Sequence, residues 1–454
     1  MAASRLLAWS EELAQAEGMQ ATIAAIATGP GAAGIGVIRI SGRRSVEAVA
    51  RVCHVPALLV PRHATRIELS VRGKVVDDGL LLFFPGPRSY TGEDVVELQV
   101  HGSPRLLSLL LAEVVSHEET RLAAPGEFTR RAFVAGKLDL ARAEAVADLI
   151  AAESEAQVQA AAAQLHGGLS ERVREVKELV LGVLAEVEGV LDFPDEAEGA
   201  EVGIGLGLER VGAALSALLE DGARGVLVRR GARVVLYGAV NAGKSTLFNR
   251  LAGVDRALVD PEPGTTRDTL EARLELAGLS VTLVDTAGLR EAAGRLEAMG
   301  IARAREALAG ADLALLVVPP EAGGEAVEVW RREVEAARRF EVTSKVDLGR
   351  ERSLGGLAVS GVTGEGIPEL RAAIASRLGA GAAEAAVVTS ERHLECIREA
   401  AEAAARASEA VRQSTLEVVG GELRLGLEAL MRLTGEDATA AVLDAVFSRF
   451  CIGK

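Results

Sequence analysis

Residues 234–250 read VVLYGAVNAGKSTLFNR, and the fold is decided here. Val234, Val235, Leu236 and Tyr237 make a short apolar, β-prone run, the pattern of a buried strand. Residues 238–245, GAVNAGKS, fit the G-x-x-x-x-G-K-[ST] phosphate-loop pattern. Leu247, Phe248 and Leu251 follow at helical spacing. Strand, glycine loop and helix in that order give the pattern its mechanism. Backbone N–H groups and a helix N-terminus converge there on anionic oxygens. Lys244 would reach the β- and γ-phosphates and Ser245 would hold magnesium, with Asn241, Ala242, Gly243 and Thr246 completing the cradle. A glycine turn that matched by chance would lack the flanking elements.

Further along, residues 281–284 read as a strand ending in Asp285-Thr286-Ala287-Gly288. An acid at the carboxyl end of a strand can reach magnesium through water, and Gly288 lets its amide approach a γ-phosphate. Between the two motifs lies Gly264-Thr265-Thr266-Arg267-Asp268, with Thr266 the candidate second magnesium ligand. Three motifs in this order predict a switch-type nucleotide hydrolase. Guanine readers carry Asn-Lys-x-Asp after an apolar strand; here the matching run is Ser344-Lys345-Val346-Asp347. Asp347 keeps the guanine-specific acceptor, so GTP is favoured over ATP, while Ser344 lacks an amide and weakens the purine contact. Ser360 and Gly361 stand where a second base-contacting loop is expected. Leu289, after Gly288, cannot orient an attacking water. Glu297 is a candidate carboxylate for that task, or an ordinary solvated helix residue.

A length of 454 residues predicts roughly two to four domains. Aromatic residues are only 3% against 49% hydrophobic, so cores must be built from Ala, Leu and Val, which suits packed helices. The net charge of −15 and the lack of a long basic run argue against sequence-independent nucleic-acid binding by the bulk surface. Any RNA contact is local or delegated to a partner. Cys53, Cys396 and Cys451 are far apart, with neither a disulfide framework nor zinc spacing, which predicts a reducing cytosol. No apolar run reads as long enough to span a bilayer. Residues 1–18 carry acids and lack an apolar h-region, so they are no secretory signal. They read as a short amphipathic helix or, preferably, as an extension ahead of a native start at Met19.

Residues 19–136 read as an α/β domain. Residues 22–27 and 35–40 are strand-like around a glycine-rich turn at 29–34, and 80–84 is a strand closed by Pro85-Gly86-Pro87. In residues 90–104, YTGEDVVELQVHGSP, the apolar positions alternate with Glu97 and Gln99; on pattern alone such polar side chains are solvated. From Lys137 the sequence turns Ala-rich and helical, and residues 171–191 form a second amphipathic helix that breaks at Pro194. Helix continues to about 230, and helical sequence resumes at 390. The economical organisation is one helical domain, 137–230 and 380–454, with a nucleotide-binding domain, 231–379, inserted into it. Beads on a string is the alternative, and 379–385 reads as a linker.

These motifs together point to a family. The chain resembles the tRNA-modification GTPase family known as MnmE or TrmE, from residue 19 to 454. The likeness rests on GIGVIRISG (34–42), YTGEDVVELQVHG (90–102), PGEFTRRAFVAGKLDLAR (125–142), LDFPDE, GAVNAGKS, GTTRD, DTAGLRE and the terminal FCIGK (450–454). The resemblance implies an N-terminal folate-binding α/β domain, a helical domain and an inserted Ras-like G domain of parallel-sheet α/β type. It implies a homodimer in the cytoplasm, acting with an FAD-dependent partner, MnmG (also called GidA). Together they would modify carbon 5 of the wobble uridine of tRNA. The one-carbon donor would be 5-formyl-tetrahydrofolate or another tetrahydrofolate derivative. Folate contacts carry over to Arg39, Glu97, Lys137 and Lys454. Potassium-dependent hydrolysis carries over as well, with Asn241 as a potassium ligand. The loop Asp260, Pro261, Glu262, Pro263, Gly264 and Thr265 completes that cation site and the GTP contacts. Glu297 falls on the family's water-orienting glutamate. Cys451 resembles a cysteine considered for nucleophilic chemistry, but nothing beside it in sequence activates a thiolate, and a structural or folate-pocket role fits at least as well. A regulatory or ribosome-assembly GTPase switch is the alternative function; it would need none of Arg39, Glu97, Lys137 and Lys454.

Overall fold

The computed structural model describes residues 20–193, 200–253, 271–286, 297–349, 356–379, 387–413 and 416–454. They divide into two compact units: 1–150, 164–213 and 396–454 form the first, and 151–163 with 214–395 the second.

The first unit holds a six-stranded sheet built from β1 (Thr22–Ile26), β2 (Ala33–Ser41), β3 (Thr65–Val71), β4 (Lys74–Phe84), β5 (Val95–Gly102) and β6 (Thr120–Leu122), in the order β3-β4-β5-β2-β1-β6. Only β1 and β6 run parallel. One face is apolar and covered by α2 (Pro104–Val114), which follows the short α1 (Ser45–Val49) and β5. Ser103 caps α2 by accepting from the Leu106 N–H, and Pro104 opens its first turn. Leu107 and Leu110 of α2 meet Ile38, Ile40, Leu69, Leu81, Val96 and Leu98 in one buried cluster. β3 and β6 are edge strands, and the sequence reading did not find them.

Helices complete this unit: α3 (Glu127–Val134), α4 (Leu140–Ala151) and, after α5 (Glu155–Leu165), most of which belongs to the second unit, the long α6 (Gly168–Asp192). α6 buries Leu169, Val173, Val176, Val180, Val183 and Val187, three or four residues apart, with Leu184 beside Val183 on the same face. The expected single Ala-rich helix is two helices. Ser154 and Gln157 form a reciprocal capping box that starts α5: Gln157 Oε1 accepts from the Ser154 N–H at 3.0 Å, and Ser154 Oγ from the Gln157 N–H at 3.4 Å. Later α12 (Glu391–Arg412), α13 (Leu416–Thr434) and α14 (Ala440–Phe447) return, with labels that follow the second unit's elements below. Phe447 stacks between Phe133 and Phe450 at 6.4 and 5.6 Å.

α7 (Ala200–Arg230) corrects one expectation. Within Val202–Arg230 an 18-residue window with a mean hydropathy of 1.5 is, by length and composition alone, apolar enough to cross a membrane. Scattered charges, such as Glu209 and Arg210, hid the run in the sequence. Its buried positions, Ile204, Leu208, Val211, Leu215 and Leu218, recur at the spacing of a helix packed on one side.

The second unit is built on another six-stranded sheet: β7 (Ala232–Gly238), β8 (Glu271–Leu276), β9 (Leu279–Asp285), β10 (Leu313–Val318), β11 (Arg339–Thr343) and β12 (Leu357–Ala358). The order is β8-β9-β7-β10-β11-β12, with only β8 antiparallel. Val234, Leu236, Val281, Leu283, Leu315 and Val317 are buried on one face, and Val235, Tyr237, Val284, Ala314 and Leu316 on the other. A sheet covered on both sides gives the near-continuous apolar strands seen in the sequence. α8 (Lys244–Gly253), α9 (Glu297–Ala309), α10 (Gly324–Arg331) and α11 (Ile367–Arg377) connect the strands.

Candidate functional site

β7 has β9 on one side and β10 on the other, so the chain order reverses at its carboxyl end. Open α/β sheets bind ligands at such switch points. The phosphate loop leaves β7 there. Gly238 turns at φ +128°, where a Cβ would stand 2.5 Å from the Val317 carbonyl, so no other residue fits. Asn241 adopts the left-handed conformation at φ +61°, which asparagine tolerates. Lys244 is almost fully buried, and its ammonium donates to the Gly238 and Ala239 carbonyls at 3.2 and 2.6 Å. Ser245 Oγ donates to Asp285 Oδ2 at 2.6 Å, and Thr286 Oγ1 donates to the Leu236 carbonyl at 2.7 Å. A cavity of about 430 Å³ opens over residues 240–246, walled also by Thr286 and Lys345.

Two further loops close on the phosphate loop. Ser344 is buried at the end of β11, and its hydroxyl donates to the Ala242 carbonyl at 2.6 Å. Lys345 takes φ +57°, and its aliphatic stem lies beside Gly243. Asp347 is exposed in the one-turn helix Val346–Leu348. Ser360 is fully buried and accepts from the Val362 and Thr363 N–H groups at 3.3 and 3.0 Å. Arg250 of α8, which the sequence reading passed over, donates to the Gly361 carbonyl at 2.9 Å and also to that of Val362. Of the sequence-derived residues, 241–246, 285, 286, 344, 345, 360 and 361 meet at one end of this sheet. Asp260, Pro261, Glu262, Pro263, Gly264, Thr265, Thr266, Ala287 and Gly288 lie outside the described residues, as do residues 1–18. Glu297 opens α9 by its backbone, and its side chain lies outside the description.

A second constellation occupies the first unit. Arg39 of β2 and Glu97 of β5 stand directly opposite in register, and Arg39 Nε donates to Glu97 Oε1 at 2.8 Å. The guanidinium lies 5.7 Å from the Tyr90 ring centre and 5.8 Å from that of Phe128. It also donates to the Gly453 carbonyl at 3.3 Å, which brings the terminal segment to β2. Half-burial holds the Lys454 ammonium below its ordinary pKa, helped by the charge of Arg39 and opposed by Glu97. Lys137 donates to the Pro87 carbonyl on the loop that carries Tyr90. That loop is held by buried charges absent from the sequence reading. Arg131 bridges Glu93 at 2.9 Å and Glu127 at 2.9 Å, and Arg121 adds two bonds of 2.7 Å to Glu127. Cys451 is exposed with a free thiol.

Two kinds of comparison bear on this arrangement. Residues 22–137 match the GTP-binding protein TrmE N-terminus, and residues 140–451 match the MnmE helical domain. The tRNA modification GTPase MnmE of Myxococcus xanthus (strain DK1622) is 54% identical over 437 residues, covering 95% of this chain and 99% of that protein. The chain belongs to the MnmE family of tRNA modification GTPases. A second MnmE, from Parvibaculum lavamentivorans, is 42% identical over 440 residues, 95% of this chain and 100% of that protein. Among solved structures, the G domain of the T. maritima FeoB iron transporter aligns at 25% identity over 32% of this chain and 98% of that one, with a TM-score of 0.26. Membership of the MnmE family agrees with the α/β, helical and phosphate-loop elements described above.

Proposed function

We propose that this chain hydrolyses GTP to drive modification of carbon 5 of the wobble uridine of tRNA, with a tetrahydrofolate derivative as one-carbon donor. We further propose that it works in the cytoplasm, away from any membrane, as a homodimer with an FAD-dependent partner of the MnmG type. In this reading residues 19–136 bind folate, and the G domain, 231–379, is inserted into the helical domain, 137–230 and 380–454. The observation that carries the reading is the pair Arg39–Glu97 joined to the Gly453 carbonyl, in a chain that also holds a formed phosphate loop. A plain regulatory switch has no use for the first of these.

The residues present suit the groups implied. Lys244 donates to two loop carbonyls, so its ammonium is already at the cradle and needs only to exchange them for phosphate oxygens. Ser245 and Asp285, in mutual contact, with Thr266 would hold magnesium, which neutralises charge developing on the phosphates. Asn241 with Asp260, Glu262 and Thr265 would hold potassium, serving where other GTPases use an arginine finger. Glu297 orients the water whose oxygen bonds to the γ-phosphorus as the bond to the β–γ bridging oxygen breaks. Asp347 and Lys345 read and cover the guanine, and Ser344, Ser360 and Gly361 hold the base loops. At the second site Glu97 accepts from N–H groups of a pterin edge, while Arg39, Lys137 and Lys454 answer the anionic parts of folate.

Equilibrium binding of 5-formyl-tetrahydrofolate to the wild type and to Glu97→Ala tests the folate half. Binding by the wild type and its loss in the variant is the expected result. Absence of binding by either would overturn it. Analysis of tRNA from cells lacking the gene should find the modified wobble uridine missing; its presence would overturn the reading as a whole.

A further inference from the structure

The loop that follows β12 is braced from two sides. Within it, the Ser360 hydroxyl accepts from the Val362 and Thr363 N–H groups at 3.3 and 3.0 Å. The Ser360 N–H donates to the Glu365 carbonyl, and the Gly364 N–H to the Ser360 carbonyl, both at 2.9 Å. From outside, the Arg250 guanidinium of α8 spans two successive carbonyls. Its Nε donates to that of Gly361 at 2.9 Å and its Nη2 to that of Val362. The peptide groups after Gly361 and Val362 are thus each held at both edges, by Ser360 on one and by a charged donor on the other. One donor in residues 360–364 is left over. The Gly361 N–H makes no hydrogen bond among the described residues, and Gly361 is half-buried. A trans peptide points that N–H away from the Ser360 carbonyl, whose direction the Gly364 bond fixes. Gly361 also packs on the first turn of α8, where a Cβ would stand 3.1 Å from the Leu247 nitrogen. One helix therefore carries Lys244 and Ser245 at its start and the brace of this loop at Arg250.

We propose that Arg250 is a positioning residue for guanine selection: by gripping the Gly361 and Val362 carbonyls it fixes the Gly361 N–H as a donor to guanine O6. Arg250 acts through the loop and does not touch the nucleotide. Ser344 brings no amide to the purine, so more of the base selection falls on this loop than in a chain with asparagine there. Without the guanidinium the two carbonyls turn to water and the N–H loses its fixed direction. The bond to O6 weakens, while the phosphate contacts and the bonds from the base N1–H and 2-amino group to Asp347 remain. This role rests on Ser360 and Gly361 being base-contacting residues; it needs neither folate nor tRNA.

Three nucleotides separate this role from a general loosening of the site. GDP is the reference. 6-Thio-GDP keeps the N1–H and the 2-amino group but replaces O6 with a weakly accepting sulfur. IDP keeps O6 and lacks the 2-amino group. Their affinities are measured on the full chain at neutral pH, with magnesium, by displacement of fluorescent GDP. The wild type is expected to bind GDP about tenfold more tightly than 6-thio-GDP. Arg250→Met keeps the stem and loses the donors. It should lower GDP and IDP affinity alike, by roughly fivefold to tenfold, and 6-thio-GDP affinity by less than about twofold, so the preference for O6 largely disappears. Arg250→Lys, with one charged donor, restores part of that preference. Arg250 is exposed, so melting curves close to the wild type are expected; if the Met variant melts early, the Lys variant carries the comparison. A variant weakened equally for all three nucleotides, or not at all, would overturn the proposal and leave the base-loop assignment standing. A wild type that binds GDP and 6-thio-GDP alike would overturn both.

Discussion

The Ser344 hydroxyl donates to the Ala242 carbonyl at 2.6 Å, which ties the loop after β11 to the phosphate loop. A serine where guanine readers carry asparagine thus still performs the mechanical part of that residue's work. It reaches the loop from a buried position, with its own N–H donating to the Val318 carbonyl at 3.0 Å.

Ser344→Ala should therefore loosen the nucleotide site without unfolding the sheet. The Ala242 carbonyl loses its partner, at a cost of about 1–2 kcal/mol. GDP affinity is expected to fall by roughly tenfold, with Ser344→Thr close to the wild type. A titration showing equal affinity in Ser344→Ala would reduce the contact to an incidental one.

Turnover should depend on a residue that does not bind the nucleotide. Glu297→Ala is expected to leave GTP affinity near wild type and to lower turnover by at least about a hundredfold. Potassium should accelerate the wild type more than sodium does. Unchanged turnover in the variant would return Glu297 to an ordinary helix position, and equal rates in the two salts would remove the cation role of Asn241.

Acid should weaken the first unit through Glu127. Burial alone would raise its carboxyl pKa, but bonds from Arg121, the Ala124 N–H and Arg131 outweigh that and hold it below the ordinary range. A carboxylate lowered on folding stabilises fully above its unfolded pKa, and that contribution is lost as pH falls through the folded value. Glu127→Gln should be less stable at neutral pH by about 3 kcal/mol, because Arg131 keeps its burial and loses a partner. Its stability should also fall less steeply on acidification. Parallel acid limbs in urea unfolding of the two proteins would show that other groups carry the effect.

At Gly453 the backbone has φ +99°, and a Cβ would stand 2.4 Å from the Ile26 carbonyl. Gly453→Ala is expected to undock the terminal segment, at a cost of about 1–3 kcal/mol, and to weaken folate binding with Glu97 intact. Protease sensitivity confined to the last residues, with GDP affinity unchanged, is the result to look for. A variant that binds folate as the wild type does would detach Gly453 from the site.

Much of this was legible in the chain. The phosphate loop could be read because its chemistry is local: glycines for the turn, a lysine and a serine at fixed offsets. Glu97 could not be raised above a solvated strand residue by pattern, since its partner Arg39 is 58 positions away and only the β2–β5 register joins them. The edge strand β8 was missed although Leu274 and Leu276 alternate with Arg273 and Glu275; the period was there, too short to stand out. The break before α5 was missed because the Ala-rich composition masks a capping box. Tyr90 and the Arg131 network escaped because burial of charge is a property of packing, not of composition.

The meeting of Gly453 with Ile26 sets an order of events during synthesis. The first strand leaves the ribosome about 430 residues before the segment that must lie against it. Until then Arg39 has neither the Gly453 carbonyl nor Lys454 beside it, so a nascent chain can close its phosphate loop while its other site stays open. A chain halted before this segment would hold the strand, loop and helix of the phosphate site but lack the contacts that Gly453 and Lys454 bring to Arg39.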